Sequence, residues 1–139
     1  MSKLLGIDYG QAKCGLALAD SDVKTAVPLD VVSLNDLGFQ PKADQPLAGR
    51  IKDLIESEEI EKIVVGLPLG LDGRETAQTK EVREFIKNLK LKTDIEIVAE
   101  DERLTTAQAK RSGHDDAVAA MYILQSYLDK LNKKHKDNQ

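Results

Sequence analysis

Ile63-Val64-Val65-Gly66-Leu67-Pro68 is the stretch that decides the architecture. It is apolar at odd and even positions alike, so neither face of the strand it forms can meet water. Such strands lie in the middle of a sheet covered by helices on both sides. Pro68, which has no N–H to give to a ladder, ends the run, and Asp72-Gly73 turns the chain. Downstream, Val82, Phe85, Ile86 and Leu89 recur at i, i+3, i+4 and i+7, which predicts an amphipathic helix, and Ile95 to Ala99 predicts the next strand. Upstream, Leu47, Ala48, Ile51, Leu54 and Ile55 share one helical face, predicting a helix from Pro46 to Glu58. Gly38, Pro41 and Asp44 mark the loop from Leu37 to Gln45 before it.

The chain opens with two short apolar runs, Leu4 to Ile7 and Cys14 to Ala19, separated by Tyr9-Gly10-Gln11-Ala12-Lys13. This reads as a hairpin. A third strand, Asp30 to Leu34, follows Pro28. Towards the end, Thr105 with Gln108 fits a capping box for a short helix stopped by Gly113. Ala117, Ala120, Met121, Leu124, Tyr127, Leu128 and Leu131 then mark the buried face of a last helix. Three strands joined by short connections, followed by alternating helices and strands, predict a mixed α/β sheet with helices on its faces. Residues 1–132 read as one domain and 133–139 as a polar, frayed tail.

With 41% hydrophobic and 32% charged residues, the 139-residue chain has enough apolar surface to fold around a core of its own. Cys14 stands alone in an apolar run, which excludes an internal disulfide framework and a cysteine-rich zinc site. Met1 leads directly into the first strand and no segment is long and apolar enough to span a bilayer, so a cytoplasmic protein without a membrane partner is expected. The net charge of −4 argues against a general nucleic-acid coat, but not against an enzyme that touches a few phosphates. Basic residues cluster at Lys80, Arg83, Lys87, Lys90 and Lys92, and again at Lys130, Lys133, Lys134 and Lys136; solvated helix faces are the ordinary reading of such runs.

The acidic residues carry the chemistry. Asp8 ends the first apolar run, where a buried charge is costly unless a partner or metal compensates it; a turn-forming aspartate beside Gly10 is the equally open alternative. Glu100-Asp101-Glu102 follows the strand ending at Ala99, at the carboxyl edge where α/β sheets place their ligands, although a solvated loop would look the same. Asp115 and Asp116 begin the last helix. One of them suffices as an N-cap, and Asp116, four residues before Ala120, falls on the buried small-residue face. Three carboxylates from distant parts of the chain, if they meet at one rim, would make a hard-oxygen site suited to Mg²⁺ or Mn²⁺. A metal pair roughly 3.5–4 Å apart can activate water and stabilise a leaving oxygen in phosphodiester hydrolysis. His114, at a loop and helix junction, is read as an exposed polar residue outside the site.

Taken together, Gly6-Ile7-Asp8-Tyr9-Gly10, Ile63 to Gly73 as IVVGLPLGLDG, Asp101 to Thr106 as DERLTT, and Asp116 to Leu128 as DAVAAMYILQSYL resemble the YqgF/RuvX family over nearly the whole chain. GIDYG alone would be shared with actin-like ATPases and sugar kinases; GLPL followed by DG and DERLTT is more specific. The resemblance implies an RNase H-like five-stranded sheet of order 3-2-1-4-5 with strand 2 antiparallel. It implies Asp8, Glu102 and Asp116 as catalytic metal ligands, with Asp101 or Asp115 as substitutes should the register differ. Lys13, Arg74 and Arg103 are then candidates for phosphate contacts. The chain departs from the family between DERLTT and Asp116, where relatives carry a longer, often basic segment that would touch substrate and only Ala107 to Asp115 remain here.

What the resemblance implies for function is a metal-dependent nuclease, a hydrolase of phosphodiester bonds that matures the 5′ end of 16S rRNA precursor. Structured RNA would be its partner, and a monomer or weak homodimer its state. The alternatives are a Holliday junction resolvase acting on branched DNA, which would require a symmetric dimer, and a non-catalytic RNA-binding module that kept the fold. An aromatic content of 4% argues against single-strand stacking as the main task of such a module.

Overall fold

A computed structural model describes residues 3–10, 13–20, 22, 25–33, 45–70, 72–101 and 116–137. The first two strands, β1 (Lys3–Tyr9) and β2 (Lys13–Asp20), form the expected hairpin, paired from Lys3↔Asp20 to Tyr9↔Cys14 and closed by the Gly10 N–H donating to the Lys13 carbonyl at 3.0 Å. Next comes β3 (Ala26–Ser33), antiparallel to β2. It begins before Pro28 rather than after it. Leu16 pairs with Asp30 and Ala17 with Pro28, so Leu29 is the extra residue of a bulge. The missing proline N–H is tolerated because β3 is an edge strand and the bulge already interrupts the ladder.

Helix α1 (Gln45–Glu58) buries Leu47, Ile51 and Leu54, as its periodicity predicts. Strand β4 (Ile60–Leu67) then runs parallel to β1, and Ile63, Val64 and Val65 are completely buried. Helix α2 (Ala77–Lys90) is capped by Thr76, whose side chain accepts from the Thr79 N–H while the Thr79 hydroxyl accepts from the Thr76 N–H. Its buried face is Val82, Phe85 and Leu89, and Phe85 stacks on Tyr9 with ring centroids 4.2 Å apart.

Strand β5 is Glu96–Asp101, parallel to β4 as far as Leu67↔Asp101. The expected end at Ala99 is therefore two residues short, and Glu100 and Asp101 belong to the strand rather than to a loop beyond it. The last helix, α3, spans Asp116–Asp137. The short helix expected after Thr105 lies outside the described residues.

The strand order is β3-β2-β1-β4-β5. One core lies between the sheet and α1 and α2; the other, built from Leu4, Ala17, Ala19, Val64, Ala120, Ile123, Leu124 and Leu128, lies between the sheet and α3. Leu131, expected on the buried face of α3, is instead 42% exposed. One residue before it, Lys130 reaches Glu100 of β5, the strand at that edge of the sheet. Among the described residues no helix is long and apolar enough to cross a membrane.

Candidate functional site

The pleat sorts the acidic residues by face. In β1, Leu5 and Ile7 enter the α1/α2 core, whereas Leu4 enters the α3 core and Gly6 lies against Leu124 and the Ala120 carbonyl. Alternation therefore puts Asp8, half-buried, on the α3 face at the carboxyl end of β1. Its partner across the hairpin is Gly15. A Cβ built on Gly15 would lie 1.9 Å from the Asp116 carbonyl oxygen and 2.8 Å from the Ala117 nitrogen. The first residue of α3 thus rests its backbone on the very residue that pairs with Asp8, one strand away from Asp8 itself.

On the other side of β1, the parallel pairing reaches Ile7↔Val65, which sets Asp8 level with Gly66, and Gly66 pairs with Glu100. Glu100 shares the parity of Val98, which packs in the α3 core, and is only 5% exposed. Both of its oxygens accept from Lys130 Nζ of α3, at 3.0 and 2.8 Å. Lys130, read from the sequence as part of a solvated face, here neutralises a buried carboxylate. Asp101 has the opposite parity, opposite Leu67 of the α1/α2 core, and so belongs to the other face.

Glu102, Arg103, His114 and Asp115 lie outside the described residues, among which no three His, Cys, Asp or Glu side chains group as a metal site. Lys13 is exposed and shares the parity of Gly15 and Ala17, so it stands on the Asp8 face at the mouth of the hairpin. Arg74 sits in the turn that leaves the carboxyl end of β4. Its side chain is 85% exposed, and its Nε forms an ion pair with Asp72 at 2.6 Å. The Asp72 carboxylate also accepts from the Arg74 N–H at 3.0 Å.

Asp8 and Asp116 each carry hard carboxylate oxygens. Cys14, the nearest soft ligand in sequence, is buried in the opposite core. Carboxylate donors of this kind suit a hard divalent cation.

Comparison with known proteins fits this geometry. The sequence profile of the RuvX family, described as Holliday junction resolvase, matches residues 2–130. The chain belongs to the RuvX family. A RuvX relative from Sulfurihydrogenibium sp. (strain YO3AOP1) is 38% identical, the match covering 95% of this chain and 93% of the relative; one from Protochlamydia amoebophila (strain UWE25) is 40% identical, covering 92% and 93%. Both carry the name "Putative pre-16S rRNA nuclease". The first alignment runs over 144 positions, more than the 139 residues of this chain, so the relative has residues that this RuvX chain lacks.

Among solved structures, Thermus thermophilus RuvC in complex with Holliday junction substrate superposes with a TM-score of 0.64 at 15% identity, covering 92% of this chain and 94% of RuvC. Fowlpox virus resolvase with its Holliday junction DNA gives 0.54 at 11%, covering 93% and 98%. These likenesses establish an RNase H-like fold of the RuvC kind, with the sheet order and strand directions expected from the sequence.

Proposed function

We propose that this RuvX protein is a metal-dependent nuclease that hydrolyses phosphodiester bonds in the 5′-end processing of 16S rRNA precursor in the cytoplasm. The observation that carries the reading is the seating of the Asp116 backbone on Gly15, the cross-strand partner of Asp8. It supports a site between the start of α3 and the strand end that bears Asp8, at the carboxyl rim of the sheet. Glu102, two residues beyond Glu100 in sequence, is the third ligand in this reading. The names of the relatives favour precursor rRNA as substrate.

A divalent cation bound there would supply Lewis-acid activation of water and charge stabilisation at the leaving oxygen. The protein's own part is positional. Asp8 is fixed by the central strand and Asp116 by the first turn of a helix locked into the core. Lys13, exposed on the same face, is placed to neutralise a substrate phosphate, and Arg74 and Arg103 would make further phosphate contacts. Either a monomer or a weak homodimer can do this on RNA. Resolution of four-way DNA is the second reading, favoured by the superposition on RuvC with its junction.

The test is Mn²⁺ titration calorimetry together with cleavage of a 5′-extended 16S rRNA precursor and of a four-way DNA junction. Wild-type protein should bind Mn²⁺ and cut the RNA. Outer-shell partners of metal ligands are worth 10–100-fold, so Asp8→Asn should lose at least about 100-fold. Equal cleavage by Asp8→Asn, or no cation binding by wild type, would overturn the metal site. Preferred cutting of the junction would transfer the assignment to the resolvase.

A further inference from the structure

The exposed side of α2 is divided by charge. At 100° per residue, Lys80, Arg83, Lys87 and Lys90 fall within an arc of about 80°, with Glu81 and Glu84 on the neighbouring arc. All four basic residues are exposed. Arg83 is held by Glu75 at 2.8 Å, whereas no ion pair among the described residues engages Lys80, Lys87 or Lys90. At 1.5 Å per residue the ladder is about 15 Å long.

Helix stability accounts for only part of it. Lys87 and Lys90 lie in the last turn, where cations are favoured by the helix dipole. Lys80 lies near the opposite end, where a cation is disfavoured, and the first turn contains no acidic residue to offset it. Nor does composition explain a basic stripe in a chain of net charge −4.

Its direction matters. The parallel strands β4 and β5 are joined through α2, so the helix must run back from the carboxyl rim. Lys80 is therefore nearest the rim that bears Asp8, and Lys90 is farthest from it. We propose that Lys80, Lys87 and Lys90 form a phosphate-binding track that holds RNA extending beyond the cleavage point, over the Asp72–Arg74 turn and down the outer flank of α2. This extends the nuclease reading by naming a surface that only a long substrate reaches.

The experiment compares wild type with Lys80→Gln/Lys87→Gln/Lys90→Gln, all exposed positions, on a 30-nucleotide precursor RNA and a 6-nucleotide fragment. Binding is followed by fluorescence anisotropy against salt without divalent cation, and cleavage with Mn²⁺. Each phosphate contact adds about 0.7–0.9 to the slope of log affinity against log salt, so the triple variant should lose roughly 2–3 on the long RNA. Its KM for that RNA should rise at least tenfold with kcat unchanged, while the fragment behaves as with wild type. Equal slopes and KM values on the long RNA, or an equal loss on the fragment, would refute the track. Wild type that binds the long RNA with the predicted slope change but never cuts it would sink the nuclease reading and leave the track standing.

Discussion

Gly15→Ala tests the central geometric claim with a single methyl group. Its Cβ would lie 1.9 Å from the Asp116 oxygen and 2.2 Å from the Asp116 carbonyl carbon, where ordinary contact begins at 3.4 Å. The obstacle is helix backbone, so no rotamer change relieves it, and the start of α3 must retreat by about 1.5 Å. Overpacking of this kind costs about 1–3 kcal/mol, and the backbone obstacle argues for the upper end. Domains of this size have roughly 5–15 kcal/mol in hand, so the variant should still fold at 25 °C with a lowered Tm.

Activity should fall much further than stability. Displacing a reacting or ligating group by about 1 Å can cost about 100-fold, and here Asp116 moves relative to Asp8 by more than that. The assays are thermal unfolding, Mn²⁺ calorimetry and single-turnover cleavage of precursor RNA at a temperature where the variant is fully folded. The expected pattern is a folded protein with weakened Mn²⁺ affinity and kcat reduced by about 100-fold or more. A Gly15→Ala protein with wild-type Mn²⁺ affinity and wild-type kcat would refute the idea that this contact sets the Asp8 to Asp116 geometry.

Three other perturbations have definite signs. Lys130→Ala leaves the carboxylate of Glu100, 6% exposed, without its cation and should cost about 1–3 kcal/mol in chemical denaturation; Glu100→Gln leaves only a 61% exposed lysine and should cost less, so the reverse order would contradict the assignment. Gly49→Ala, at an exposed position of α1 where a new Cβ meets nothing within 4 Å, should raise stability by about 0.5–1 kcal/mol without touching cleavage. The pKa of Lys62 is raised above 10.5, first by its hydrogen bond to the Tyr127 hydroxyl at 2.7 Å, with burial opposing and Glu96 adding to it. Its contribution is thus complete below pH 10.5 and lost as pH climbs through the raised value; Lys62→Met should flatten the stability loss above pH 10.5, and an unchanged alkaline limb would count against it.

What could be read from the sequence was whatever local chemistry decides. The hairpin, β4 and the buried face of α2 follow from apolar runs and helical spacing bounded by glycine and proline. The start of β3 did not, because proline ordinarily ends a strand, and only its place at the sheet edge makes Pro28 acceptable. The end of β5 was hidden for a similar reason: Glu100-Asp101 looks like solvated loop until the β4 pairing and Lys130, both remote in sequence, are in view. Asp8 was legible as an oddity at a strand end. Gly15 was not, since a glycine in an apolar run reads as a weak point rather than as a seat for a helix. A signal was nevertheless present in Gly15, Ala17 and Ala19, small residues at every second position, which mark a sheet face on which a helix lies close.

The two charged faces answer a problem inherent in carboxylate chemistry on a polyanion. In the proposed site, acidic side chains at the rim would attract a cation, but they would also repel the phosphates that must approach it. At physiological salt this repulsion is screened beyond about 8 Å, so bases placed farther away along the substrate can hold it without competing for the same carboxylates. The α2 stripe lies beyond the rim and on the other side of the sheet from Asp8. Lys130 acts differently: fixed on Glu100, in the row of Asp8 and Gly66, it cancels one buried negative charge without adding a base to the rim. Adding a further positive charge at the rim beside Lys13 should therefore help RNA approach at low salt yet weaken Mn²⁺ binding. A variant that gained in both would show that the separation of the two faces has no electrostatic purpose.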